Sequence, residues 1–165
     1  MESIDPRRNL IERIDSRGRP EPVAANIDRL AIMVAPEPAP DWFLVDRYLA
    51  GARLKDIEVI LIVNKADLGL GPLEAELAVY ENLQLPIHKV ACHGDLTLLE
   101  LQRTLAHRVT LMVGQSGVGK SSLANALAPE AAAQTAELTR DAEGRHTTTT
   151  AVSYTHLTLP TIYSV

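Results

Sequence analysis

Aromatic residues are scarce in this chain: one Trp, one Phe and four Tyr among 165 residues, 4% in all. A core must therefore be built from Leu, Val, Ile and Ala, and a hydrophobic content of 46% with 22% charged residues supplies one, as in a folded domain rather than a disordered one. Cysteine is scarcer still. Cys92 stands alone, which excludes an internal disulfide framework and any multi-cysteine zinc site. No stretch approaches the roughly 18 uninterrupted apolar residues that a membrane-crossing helix needs. The first twenty residues carry Arg7, Arg8, Arg13, Arg17 and Arg19 and no apolar run, so no secretory signal is expected, no membrane partner, and a cytoplasmic location. An excess of positive charge is missing too. Sixteen basic against 21 acidic residues give a net charge of −5, which argues against a general polyanion binder. The acidity is concentrated in residues 31–100, where eleven acidic side chains face five basic ones.

What is present is an alternation of short apolar runs with amphipathic segments. Residues 1–28 mix Arg, Asp, Pro and Gly and read as a linker or the remnant of a preceding domain. Leu30–Ala35 is a buried-strand candidate stopped by Pro36, Pro38 and Pro40. Asp41–Ala52 has helical spacing with Asp41 as N-cap, and Trp42, Phe43 and Tyr48 are expected to pack into the core from it. Ile57–Val63 is a continuous β-branched run, the pattern of a parallel strand covered on both faces. Leu73–Leu83 is predicted helical, Ile87–Ala91 a strand, Leu96–Leu105 a helix, Val109–Val113 a strand and Ser121–Leu127 a helix. Strand and helix in alternation predict an α/β fold, a mostly parallel sheet with flanking helices.

Two motifs carry chemistry. Gly114-Gln115-Ser116-Gly117-Val118-Gly119-Lys120-Ser121 fits GxxxxGK[ST] in full, a pattern with a chance rate of roughly one in 10⁵ per position. It stands between a predicted strand and a predicted helix, the context of a phosphate loop. Glycines let the backbone curl so that successive N–H groups converge on phosphate oxygens. The helix N-terminus places its positive dipole end behind the anion. Lys120 is then placed to bridge the β- and γ-phosphates, and the Ser121 hydroxyl to coordinate Mg²⁺, with Ser122 beside it.

The second motif, Asn64-Lys65-Ala66-Asp67, follows directly on the strand Ile57–Val63. N-K-x-D fixes three positions and alone would arise by chance in about 2% of chains of this length. At the carboxyl end of a parallel strand, where α/β proteins place their ligands, it gains weight. The Asp67 carboxylate can accept two hydrogen bonds from the N1–H and N2 amino group of guanine, a paired donor that adenine lacks. Asn64 can pair with the base edge, and Lys65 can lay its stem along the ring. Ala91 and Cys92, at the end of the next strand, could supply a backbone N–H to guanine O6; Cys92 is equally readable as a small buried residue.

The order of the two motifs is inverted relative to ordinary GTPases: Asn64–Asp67 precedes Gly114–Ser121 by about fifty residues, as in a circularly permuted chain. With that order the sequence resembles the RsgA (YjeQ) family of circularly permuted GTPases. The match lies in Val23-Ala24-Ala25-Asn26-Ile27-Asp28, in Asn64–Asp67, in Gly114–Leu123 and in Gly144-Arg145-His146 with Thr147–Thr150. It implies a P-loop GTPase domain that binds GTP and GDP with Mg²⁺, hydrolyses GTP, and acts with the small ribosomal subunit and its rRNA late in maturation. It implies residues 1–22 as the end of an RNA-binding OB barrel with its linker, and 23–151 as the permuted GTPase domain, the chain being a piece lacking both ends of the family protein. A monomer is expected.

The resemblance further implies that Thr147–Thr150 belong to a switch region whose threonine meets Mg²⁺ and the γ-phosphate. Thr147 and Thr148 join Lys120 as the catalytic candidates. Beyond that run the family continues to a DxPG motif and to a zinc-binding domain. Ala151–Val165 here holds no Asp and no Gly, and the zinc ligands are absent. Residues 152–165 are accordingly read as a foreign or disordered tail, with a short hairpin or frayed terminus as the plainer reading. Two alternatives to GTP hydrolysis stand beside it: a guanine-nucleotide-binding fragment without turnover, and a P-loop ATPase or kinase whose N-K-x-D is accidental. His88, His93, His107, His146 and His156 have no metal-ligand spacing; only His146, beside the threonine run, is of interest.

Overall fold

The structure, a computed structural model, describes residues 6–15, 17–91, 96–127 and 161–164. Strands β1 (Leu10–Ile14) and β2 (Pro20–Ala25) form an antiparallel hairpin. Then follow β3 (Arg29–Val34), helix α1 (Trp42–Arg53), β4 (Glu58–Val63), α2 (Glu74–Asn82), β5 (Ile87–Lys89), α3 (Leu96–Leu105), β6 (Val109–Gly114), α4 (Lys120–Leu127) and β7 (Thr161–Ser164). The last five strands make one sheet in the order β5-β4-β3-β6-β7, with every neighbouring pair parallel. The expected α/β architecture is what the chain adopts.

Alternation along each strand divides the core in two. Leu30, Ile32 and Val34 of β3, with Val59, Leu61 and Val63 of β4, pack against Val45 and Ala52 of α1 and Leu77 and Tyr80 of α2. The intervening Ala31, Met33, Ile60, Ile62 and Met112 face Leu101 and Leu105 of α3 and Leu123 and Leu127 of α4. The central strands are therefore apolar on both faces, and each buried aliphatic side chain contributes about 1.5–3 kcal/mol. Helix α1 begins where the sequence places it, with the Asp41 carboxylate accepting the Leu44 N–H at 3.1 Å. Trp42 stacks on Tyr80 with ring centroids 5.6 Å apart, and the Tyr80 hydroxyl donates to Asp46 at 2.8 Å. Phe43 departs from expectation. It is 71% exposed, because it lies on the side of α1 opposite the face that carries Val45 and Ala52.

The hairpin is stitched to the sheet rather than strung loosely before it. Asn9 Nδ2 donates to the Ile27 carbonyl at 2.8 Å while its Oδ1 accepts the Ile27 N–H at 2.9 Å. Asp28 holds Arg8 at 2.8 Å on one oxygen and the Val109 N–H at 2.8 Å on the other. Strand β2 thus runs through the boundary drawn between residues 22 and 23, and Ile11 and Ala24 pack against the core of the larger sheet. At the other end, Thr161–Ser164 forms a strand that pairs in parallel with Val109–Met112. Its Thr-Ile-Tyr-Ser sequence suits an extended backbone.

From β3 the chain winds through β4 to β5 on one side, then crosses back to place β6 on the other side of β3. The carboxyl ends of β3 and β6 therefore flank a topological switch point, the position at which open α/β sheets leave a crevice for a ligand.

Candidate functional site

The loop joining β6 to α4, residues 115–119, opens at that switch point. Gly114 at its entry has φ +151 and lies against the Met33 carbonyl so closely that a Cβ could not be accommodated. Gly117 (φ +84) and Gly119 (φ +91) occupy the left-handed region that lets the loop curl. Val118 points inward and is fully buried in the core beside α3 and α4, which anchors the middle of the loop from below. Ser116 and Gly117 are exposed, and Ser121 and Ser122 stand exposed on the first turn of α4. Lys120, its first residue, donates to the carbonyls of Gly114 (2.9 Å) and Gln115 (3.1 Å). Burial lowers the pKa of its ammonium below the ordinary lysine value.

The N-K-x-D residues lie one strand further across the same edge of the sheet. Asn64 is 1% exposed, and its Nδ2 donates to the Val118 carbonyl at 2.9 Å. This amide reaches into the phosphate loop, a contact the sequence reading did not assign to it. Lys65 has a left-handed backbone (φ +56) and donates from Nζ to the carbonyls of Gly117 (2.9 Å) and Glu37 (2.8 Å). Asp67 sits exposed in the single 3₁₀ turn Ala66–Leu68 that Lys65 begins. The Ala66 N–H donates to the Val90 carbonyl at 3.1 Å, so the half-buried Ala91 stands next to this turn. Asn64, Lys65, Asp67, Ala91 and the whole of Gly114–Ser122 are thereby gathered on one edge. Cys92, Thr147, Thr148, His93, His146 and His156 lie outside the described residues.

One contribution was not foreseen. Glu37, Pro38 and Asp41, read only as a strand stop and a helix cap, line the phosphate loop: Glu37 through its carbonyl on Lys65, Pro38 beside Gly117, and Asp41 through its N–H on Gln115. Three prolines within five residues at a strand's carboxyl end were the available signal.

As a set, the site offers a loop whose peptide groups converge at a helix N-terminus, a lysine able to swing from loop carbonyls to an anion, and a free serine hydroxyl among the described residues. A carboxylate stands exposed one strand away. That is the inventory for holding a nucleoside phosphate at one end and its base at the other.

Comparison with known proteins agrees with this geometry. The model of the RsgA GTPase family matches residues 4–159. Among curated proteins, "Small ribosomal subunit biogenesis GTPase RsgA" of Pseudomonas fluorescens (strain SBW25) is 44% identical over 151 residues, covering 88% of this chain and 44% of that protein. Its namesake from Alcanivorax borkumensis is 43% identical over 154 residues, covering 90% and 44%. The chain thus spans less than half the length of these relatives. Among solved structures, YjeQ from Thermotoga maritima superposes with a TM-score of 0.64 at 28% identity, covering 78% of this chain and 45% of that one. YloQ, described as a circularly permuted GTPase, gives 0.55 at 28% identity, covering 66% and 40%.

Proposed function

The chain belongs to the RsgA GTPase family, and on that premise we propose that it binds guanine nucleotide and hydrolyses GTP as the catalytic portion of a factor that matures the small ribosomal subunit in the cytoplasm. The observation that carries the reading is the pair of bonds from Asn64 to Val118 and from Lys65 to Gly117. They weld the guanine-reading turn to the phosphate loop, so that base and phosphates are held at a set separation. A P-loop ATPase with an accidental N-K-x-D has no need of that weld.

In this reading the loop amides of Gly117–Lys120 hold the β- and γ-phosphates, and Lys120 exchanges its carbonyl partners for phosphate oxygens. Asp67 accepts from guanine N1–H and N2, and Ala91, with Cys92 next to it in the sequence, is the candidate to meet O6. Ser121, an exposed hydroxyl at the head of α4, suits the hard, oxygen-seeking Mg²⁺ ion, and would hold it together with phosphate oxygens, where the ion offsets developing charge. Water attacks the γ-phosphorus in line with the bridging oxygen; that bond breaks, and GDP and phosphate leave. Thr147 and Thr148 are assigned to the γ-phosphate side by family resemblance. The rRNA of the small subunit is the partner and the chain acts as a monomer.

A second reading, binding without turnover, has its own support in the absence of Asp and Gly from residues 151–165. Equilibrium binding of GTP, GDP and ATP to the chain with Mg²⁺, followed by phosphate release, separates the readings. Guanine-selective binding with release is the expected result; selective binding without release establishes the second reading, and equal binding of ATP overturns the guanine assignment.

A further inference from the structure

The segment between β3 and α1 is fastened to the phosphate loop at three points. The Asp41 N–H donates to Gln115 Oε1 at 3.1 Å. Lys65 Nζ bridges the Glu37 and Gly117 carbonyls at 2.8 and 2.9 Å. The Pro38 ring lies beside Gly117, its Cδ 3.5 Å from the place a Cβ would take. Asp41 has a second engagement, because its carboxylate caps α1 through the Leu44 N–H. The first side chain of the phosphate loop is therefore bonded to the residue that starts a helix 74 positions away in the sequence.

The consequence follows from what Lys120 does when a nucleotide binds. Its ammonium holds the Gly114 and Gln115 carbonyls. To reach phosphate oxygens it must release them. Gly114 is pressed on Met33 and cannot sink toward the sheet, so the motion left open to the loop entry is outward, into the cleft lined by Asp41, Leu44, Tyr48 and Gln115. Among the described residues, the Asp41–Gln115 bond is the side-chain tie on that half of the loop that persists once Lys120 has turned away.

We propose that Gln115 is a positioning residue for the bound nucleotide: its side-chain oxygen fastens the loop entry to the N-cap of α1 and keeps the loop amides converged while Lys120 serves the phosphates. Gln115 acts through the loop backbone, and its side chain touches no phosphate. The proposal rests on the nucleotide reading above.

The test compares the full chain with Gln115→Met, which keeps the length of the side chain and removes the acceptor, and with Leu77→Ala, which truncates a buried core residue of α2 away from the loop. Affinity and dissociation rate are read with a fluorescent guanine nucleotide, alongside an adenine analogue and the nucleotide-free melting temperature. Gln115→Met should weaken guanine nucleotide about three- to tenfold, the worth of one neutral hydrogen bond, mainly through faster dissociation. Its guanine-over-adenine ratio and melting temperature should stay unchanged. Leu77→Ala should melt earlier and keep its affinity. Affinity of Gln115→Met within twofold of the parent overturns the proposal, as does a loss in both variants that merely tracks melting temperature. If the parent chain binds neither guanine nor adenine nucleotide, the nucleotide reading falls and this proposal with it.

Discussion

Gly69 and Gly119 both hold a strongly positive φ, +88 and +91, and differ in what surrounds them. A Cβ at Gly69 would meet nothing within 4 Å, whereas at Gly119 it would collide with Asn64 Nδ2. Alanine at so positive a φ costs about 1–3 kcal/mol at either position. At Gly119 a second effect is added. The Asn64 side chain, 1% exposed, must move, and its 2.9 Å bond to the Val118 carbonyl breaks, leaving buried polar groups without their partners. That adds about 1–3 kcal/mol. Gly69→Ala should therefore lose about 1–3 kcal/mol and Gly119→Ala about 2–6 kcal/mol, against a total of roughly 5–15 kcal/mol for an ordinary domain. Urea unfolding of the nucleotide-free chain, with both variants and the parent measured side by side, provides the comparison. The difference between the variants isolates the Asn64 strut. Losses equal to within about 0.5 kcal/mol would refute it, because the shared backbone strain would then account for everything.

Two further outcomes are expected. Asp67→Asn should weaken GTP and admit xanthosine triphosphate, whose carbonyl at the 2-position suits an amide donor; an unchanged base preference in competition binding would remove Asp67 from the base site. His88, half-buried on β5, has its pKa lowered by burial and then by the nearby Arg29, against a smaller opposing effect of Glu100. The unfolded chain binds this proton more readily than the folded one, so stability rises with pH across the window and is lost as pH falls from the ordinary value of about 6.5 through the lowered folded one. His88→Gln should flatten the slope of unfolding free energy between about pH 7 and pH 5; an unaltered slope would show that His88 titrates alike in both states.

The sheet was legible because its strands are apolar on both faces. Leu30–Ala35, Ile57–Val63 and Val109–Val113 could be assigned without knowing their neighbours, and Leu96–Leu105 is a helix with the ends its leucine spacing predicts. Where less of the segment is buried, reading from sequence failed. Phe43 was placed in the core because aromatics usually are, yet helix phase turns it to solvent. The hairpin of β1 and β2 was missed because its polar, proline-bearing strands are held by Asn9, Arg8 and Asp28 through contacts made 18 to 81 residues away.

The same division runs through the site. Motif spacing alone was enough to find the GxxxxGK[ST] loop and the N-K-x-D turn, because both depend on local backbone shape and on residues adjacent in sequence. Their inverted order determined the permutation. Tertiary structure alone decided that Asn64 and Lys65 spend their polar groups on Val118 and Gly117, and that Glu37, Pro38 and Asp41 close the other side of the loop. The physical reason is that a buried donor binds whichever carbonyl the packed strands bring within reach, and the parallel order β4-β3-β6 sets that neighbour across more than fifty residues of chain.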